Sequence, residues 1–129
     1  MKQNILISIK PIYVQQILSG EKKYEYRKSI FKKHVDKIYV YSTSPHKMIV
    51  GYFKYTGYIE GDPEKIWIET HDFSGIGKGD YDKYFNNRNK AYAIKIDRFI
   101  PFEKPIDPGK LFAKFYAPQS YKYLKEDII

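Results

Sequence analysis

Cysteine is absent from this 129-residue chain, which excludes disulfides, zinc–thiolate sites and thiol nucleophiles. No apolar run approaches the ~20 residues that span a bilayer. The first apolar stretch, residues 5–9, ends at Lys10 and Pro11 and is too short for a secretory signal, so a cytoplasmic protein with no membrane partner is expected. His34, His46 and His71 fall in separate loop-like contexts without ligand spacing, so neither a metal site nor another cofactor is expected. The dipeptide His71-Asp72 occurs in metal phosphohydrolases, but the further histidines that chemistry needs are missing. Gly75, Gly77 and Gly79 follow a helix pattern rather than a strand, which is not a nucleotide-binding fingerprint.

What is abundant is positive charge and tyrosine. Lys and Arg number 23 against 15 acids, a formal charge of +8, and 14 Tyr and 8 Phe accompany a single Trp. An excess of that sign suits a polyanionic partner, although it also serves plain solvation. RNA or a nucleotide is the expected partner, with DNA as the other nucleic acid the charge admits; oligomeric state is not legible. The length fits one domain over residues 1–129, with one core and no repeat.

Residues 5–9 form a continuous β-branched run that suits a buried strand. Pro11 then opens a short helix to about residue 19, with Ile12, Val14, Ile17 and Leu18 near one face and Gly20 as its stop. Residues 22–28 alternate as a strand, and residues 30–34 form a basic loop. A strand over 38–41 runs into the hydroxyl-rich turn of Ser42, Thr43 and Ser44. Residues 48–59 read as one long strand with Gly51 and Gly57 as bulges or close-approach points. Asp62 caps a helix carrying Ile66, Trp67 and Ile68, and Asp80 caps another through Tyr81, Tyr84 and Phe85. Alternation over 91–100 predicts a long strand, the prolines of 101–109 an extended connector, and residues 118–124 a terminal helix. The sum is an α+β domain on a curved or barrel-like sheet of five or six mostly antiparallel strands.

The functional signal lies at residues 20–27. Strand alternation turns Tyr24 and Tyr26 toward the core and leaves Glu25 and Arg27 on the open face. Lys22 falls in the turn after Gly20, where its side chain can swing. Lys10, Lys22 and Arg27 are cations suited to phosphate, and arginine can also stack on a base. Glu25 can accept from exocyclic amines or orient Arg27; a plain surface ion pair of ~0–1 kcal/mol is the structural alternative. Ser42 and Ser44 at a strand end, and the rings of Tyr41 and Trp67, complete the candidate ligand-binding set, although hydroxyls there also make turns and a lone Trp also plugs a core.

Gly20, Lys22, Glu25 and Arg27 reproduce the GxKxxExR signature of the ASCH domain, in a strand–helix–turn–strand setting that matches the family's opening. The similarity extends through IYVYSTSP, IVGYF, GIGKGDYDKYF, AYAIKI and PQSYKYL, so nearly the whole chain resembles bacterial and phage ASCH proteins labelled transcriptional regulators. The resemblance implies a PUA-like β-barrel with short helices at its openings. It also implies a cleft, lined by the motif, that accepts RNA, a nucleotide or a modified base. One ASCH branch hydrolyses N4-acetylcytidine through a Lys-x-x-Thr pattern; here Lys22 matches but Glu25 stands where the hydroxyl would be. If the chain is an enzyme, Lys22 and Glu25 are the catalytic candidates, as a metal-independent hydrolase of a modified nucleoside, with Glu69 as a second carboxylate. The readings from sequence are thus an RNA or nucleotide binder in transcription or RNA metabolism, an amidohydrolase of an acylated pyrimidine nucleoside, and a protein-interaction module in gene regulation.

Overall fold

The computed structural model describes residues 3–125, 127 and 128. Its elements in order are β1 (Gln3–Ile9), α1 (Pro11–Ser19), β2 (Tyr24–Arg27), β3 (Val35–Ser42), β4 (Met48–Lys54) and β5 (Tyr58–Gly61). There follow α2 (Pro63–Thr70), α3 (Lys78–Tyr84), β6 (Ala91–Lys95), β7 (Phe99–Ile106) and β8 (Tyr121–Leu124). The strands make two sheets, a five-stranded one in the order β7-β4-β3-β1-β8 and a three-stranded one in the order β2-β6-β5. The expected single sheet of five or six strands is therefore corrected to two sheets, with eight strands among the described residues. Pairing is antiparallel except between β1 and β3.

The unbroken apolar run of β1 explains its place inside the larger sheet. Ile5, Ile7 and Ile9 pack on one face with Ile38, Val40, Phe53, Ile94 and Ile96. Leu6 packs on the other with Tyr39, Tyr41 and Ile49. A strand buried on both faces gains nothing from alternation, and each such side chain adds roughly 1.5–3 kcal/mol. A third cluster joins Tyr26, Ala91 and Ala93 of the smaller sheet to Ile66 of α2 and to Tyr81 and Phe85 at α3. That cluster fixes α3 beside β2, and so builds one wall of the site.

Several boundaries differ from expectation, each for a local reason. Residues 48–59 divide after Lys54, because Gly57 takes φ +128 and turns the chain into the other sheet as β5. Gly51 is a close-approach point as expected: a Cβ there would collide with the Ile100 carbonyl oxygen. The run 91–100 divides as well, since Ile96 donates its N–H to the Lys23 carbonyl and the chain then crosses to the larger sheet as β7. The expected connector at 101–109 is mostly that strand. β7 is an edge with one neighbour, which is where a strand tolerates proline. Residues 118–124 are not a helix: Tyr121–Leu124 pairs antiparallel with β1 and supplies the partner its free edge needs.

The helices show smaller shifts. α1 has Pro11 in its first turn and ends at Gly20, φ 84, and it buries Val14 and Ile17, whereas Ile12 and Leu18 face solvent. Asp62 caps α2 by accepting from the N–H groups of Glu64 and Lys65. Ile68 on that helix is exposed. α3 starts two residues before Asp80, with Gly77 at its cap position, so Asp80 sits in its first turn.

Candidate nucleic-acid interface

The signature is assembled by a reversal and a strand. Gly20 adopts the left-handed conformation that glycine takes without penalty, and the chain folds back so that Lys22 N–H donates to the Gln16 carbonyl at 3.0 Å. β2 then pairs with β6, with Tyr26 opposite Ala93 and Arg27 opposite Tyr92. Tyr26 turns into the cluster under α2 and α3, as alternation predicts, while Glu25 and Arg27 take the other face. Tyr26 donates to Thr70 Oγ1 at 2.7 Å, because the Thr70 hydroxyl spends its own proton on the Ile66 carbonyl. Burial pushes the Tyr26 phenol up to about 12.

Lys22 is not the free side chain expected of a turn residue. It is 3% exposed, and its Nζ donates to the Ser74 carbonyl at 2.7 Å. The ammonium lies 5.1 Å from the Tyr13 ring centre and 5.0 Å from that of Tyr26. Its stem is seated against Gly75, φ +67, where a Cβ would come within 2.7 Å of Lys22 Cβ. A side chain at Gly75 would therefore push directly on the lysine. Burial lowers the Lys22 pKa from its ordinary value; the Glu25 carboxylate opposes that shift and the Arg27 guanidinium adds to it.

Glu25 binds the two cations from its two oxygens. Oε2 accepts from Arg27 Nε at 3.1 Å and from Nη2 at 2.7 Å, and Oε1 lies 3.9 Å from Lys22 Nζ. Arg27 also donates from Nη2 to the Ser8 carbonyl at 2.8 Å and from Nη1 to the Ser120 carbonyl at 3.4 Å. The guanidinium is thereby fixed by β1, β2 and the approach to β8. The plain surface ion pair does not describe this arrangement, because the Arg27 and Glu25 side chains are only 11% and 10% exposed.

These residues open into a cleft of about 550 Å³ between α1, β2 and α3. Lys10, Lys22, Arg27 and Lys83 face it with Glu25 and Asp80, so cations outnumber carboxylates. Tyr13 and Tyr84 supply aromatic walls and Gln119 closes one side. The Tyr13 phenol is pushed up by burial and then by the carboxylates of Asp80 and Glu25. Tyr84 is pushed up by burial, against the pull of Arg27, and Lys28 lies 4.6 Å from its ring centre.

Four of the expected residues, Lys10, Lys22, Glu25 and Arg27, thus converge. The other four lie elsewhere. Tyr41 is turned to the opposite face of the larger sheet, 5.2 Å from the Phe115 ring. Ser42 is buried and bonded to His46 Nδ1 at 3.0 Å, and Ser44 is exposed in the following turn. Trp67 packs 4.8 Å from the Tyr81 ring as a plug on α2, and Glu69 of that helix is exposed outside the cleft. The residues missed are Tyr13, Asp80, Lys83 and Tyr84. A signal was present: Tyr13 is three residues after Lys10, and Asp80, Lys83 and Tyr84 have the spacing of one helical face. Among the described residues no cluster of three or more histidines and carboxylates is placed to hold a metal ion.

Fold and cleft together define a class first: small α+β domains in which a glycine–lysine turn delivers a buried Lys–Glu–Arg cluster to an open cleft. The model of the ASCH domain matches residues 7–100, and the chain belongs to the ASCH domain family. It is 27% identical over 130 residues to an ASCH domain-containing ribonuclease of Zymomonas mobilis, spanning 98% of this chain and 87% of that protein. The crystal structure of ASCH from Zymomonas mobilis superposes with a TM-score of 0.87 at 27% identity, covering 95% of this chain and 88% of that one. A Tyr-to-Phe mutant of the Zymomonas mobilis protein gives 0.88 at 26% identity, over 97% and 92%. The chain also matches, at 30% identity, a segment of an ATP synthase subunit alpha from Ureaplasma parvum that makes up 16% of that protein. None of these relatives supports the transcriptional-regulator label.

Proposed function

We propose that this protein binds single-stranded RNA in the cleft of Lys22, Glu25 and Arg27 and cleaves it there. The observation that carries the reading is the convergence of four cations on a cleft organised by a buried Lys–Glu–Arg cluster. The near full-length similarity to a protein named as a ribonuclease supports it. The resemblance to PUA-like RNA-binding barrels points the same way, as an analogy of fold.

In this reading the residues divide the work by exposure. Lys10 and Lys83 at the rim contact flanking phosphates, and the rings of Tyr13 and Tyr84 stack on bases. Lys22, desolvated and fixed by Ser74, meets the scissile phosphate. As the neighbouring ribose 2′-oxygen bonds to phosphorus and the bond to the 5′-oxygen breaks, it stabilises the charge on the phosphate oxygens, while the 2′-hydroxyl proton is lost to water and the departing 5′-oxygen takes one up. Glu25 holds Arg27 and Lys22 in place. The alternative, hydrolysis of an acylated nucleoside, asks Glu25 to act as a general base, and its Oε2 is already engaged twice by Arg27.

The test is a titration of a labelled single-stranded RNA of about twelve nucleotides between 50 and 200 mM salt, with products resolved on a denaturing gel. Binding of three or four phosphates predicts a slope of about −2 to −3 for log affinity against log salt, together with shortened products. An RNA that neither binds at the low-salt end nor shortens would remove the reading.

A further inference from the structure

A second basic groove follows the signature strand in the chain, and none of its lining residues lines the cleft just described. It has a volume of about 410 Å³ and is walled by Lys32, Lys33 and His34 before β3, by Tyr55 and Thr56 between β4 and β5, and by Tyr58 at the start of β5. Lys32, Lys33, His34 and Thr56 are exposed, and Tyr58 is 38% exposed. Among the described residues no carboxylate lines it. A third depression, behind the turn after α1, is different: among the described residues Glu21 and Asp72 line it and no cation does.

The groove is tied physically to the cleft. Lys32 follows Arg27 by five positions, so the two Cα atoms lie within about 18 Å of each other. β8 runs alongside this path. Its approach residue Ser120 accepts from Arg27, its Tyr121 ring lies 5.6 Å from Phe31, and its Tyr123 hydroxyl accepts from the N–H groups of Lys32 and Lys33. Those contacts hold the 31–34 segment in one shape and leave the lysine side chains outward, with Lys33 Nζ 4.8 Å above the Tyr123 ring. Tyr58 is braced edge-on by Tyr92 at 5.8 Å, which keeps its other surface available to a base.

We infer that this groove is a second RNA subsite, which takes the strand running out of the Lys22 cleft past Arg27, with Lys32 and Lys33 on phosphates and Tyr58 under a base. The inference rests on the RNA reading above and extends its footprint. A separation of this size is crossed by a few nucleotides, within the ~4–16 that single-strand grooves accommodate. Short RNA fills the cleft alone, and longer RNA fills both.

The experiment compares a tetranucleotide with a twelve-nucleotide single-stranded RNA on the whole protein. The proteins are the parent, Lys32→Ala/Lys33→Ala, Tyr58→Ala, and Lys104→Ala/Lys110→Ala as a control for loss of surface charge elsewhere. The subsite predicts that the Lys32/Lys33 variant loses about tenfold in affinity for the longer RNA, with its salt slope reduced by about 1.4, while the tetranucleotide is unaffected. Tyr58→Ala weakens the longer RNA without changing the slope, and the control variant shows no length dependence. Parental affinity of both groove variants for both lengths would overturn the subsite and leave the cleft reading intact. Equal losses on both lengths, or equal losses in the control, would overturn it too. Failure of the parent to bind either RNA would instead bring down the RNA reading itself.

Discussion

Replacing Lys22 by methionine is expected to cut RNA cleavage by about 10²- to 10³-fold while leaving the fold standing. The magnitude is that of removing one preorganised donor to developing negative charge. Methionine keeps an unbranched stem against Gly75, so the packing that seats the lysine persists. The Ser74 carbonyl loses its donor, at roughly 1–3 kcal/mol, while the cost of burying an ammonium disappears. Stability should therefore change by no more than about 2 kcal/mol, read as the urea midpoint at constant slope. The pH dependence has a definite sign. With its folded pKa below 10.5, Lys22 holds its proton less tightly in the native state than in the unfolded chain, so it makes stability rise with pH through the window beneath 10.5. Methionine should remove that increment. Parental cleavage by a folded Lys22→Met protein would refute the role.

Arg27→Ala should have a different signature, a loss of about 3 kcal/mol in unfolding free energy. Removing the guanidinium leaves Glu25 buried with only Lys22 at 3.9 Å, and withdraws the donors to the Ser8 and Ser120 carbonyls. Breaking one side of a buried pair costs more than the pair contributes, because the surviving charge stays desolvated. Changing both partners to apolar residues, Glu25→Leu with Arg27→Met, should recover much of the stability and none of the RNA binding. A urea midpoint for Arg27→Ala equal to the parent's would show that the guanidinium is not a structural anchor of the cleft.

The two variants separate roles that one strand carries together. In the sequence, Glu25 and Arg27 announce themselves by alternation, and Lys22 by its place after a helix-stopping glycine. Their burial was not legible, because it depends on Ser74 and Gly75, some fifty residues on, closing over the lysine stem. For the same reason Tyr13 and the α3 residues Asp80, Lys83 and Tyr84 were missed: their spacing is visible, but the neighbour they face is not. Tyr41, Ser42 and Trp67 show the converse. An aromatic ring or a hydroxyl at a strand end has the same local pattern whether it meets a ligand or plugs a core, and here Phe115, His46 and Tyr81 take those places.

The fold shows a similar division. β1, α1 and the Asp62 cap follow from local chemistry, a continuous β-branched run, a proline and glycine pair, and a side chain that accepts two N–H groups. The sheet switches near Gly57 and after Ile96 were hidden because alternation continues across each corner. β8 was hidden because its partner, β1, lies more than a hundred residues earlier. Such pairings are set by tertiary context, which outweighs local propensity.

The central claim is that a phosphate of a bound RNA meets the buried ammonium of Lys22 beside Arg27. A crystal structure of the protein with a single-stranded oligonucleotide, 2′-O-methylated so that its own hydroxyl cannot attack, tests this directly. It should show a phosphate oxygen within about 3.2 Å of Lys22 Nζ, with bases against Tyr13 or Tyr84. An oligonucleotide bound elsewhere, with Lys22 Nζ still bonded to Ser74 and Glu25 and touching no phosphate, would contradict the account.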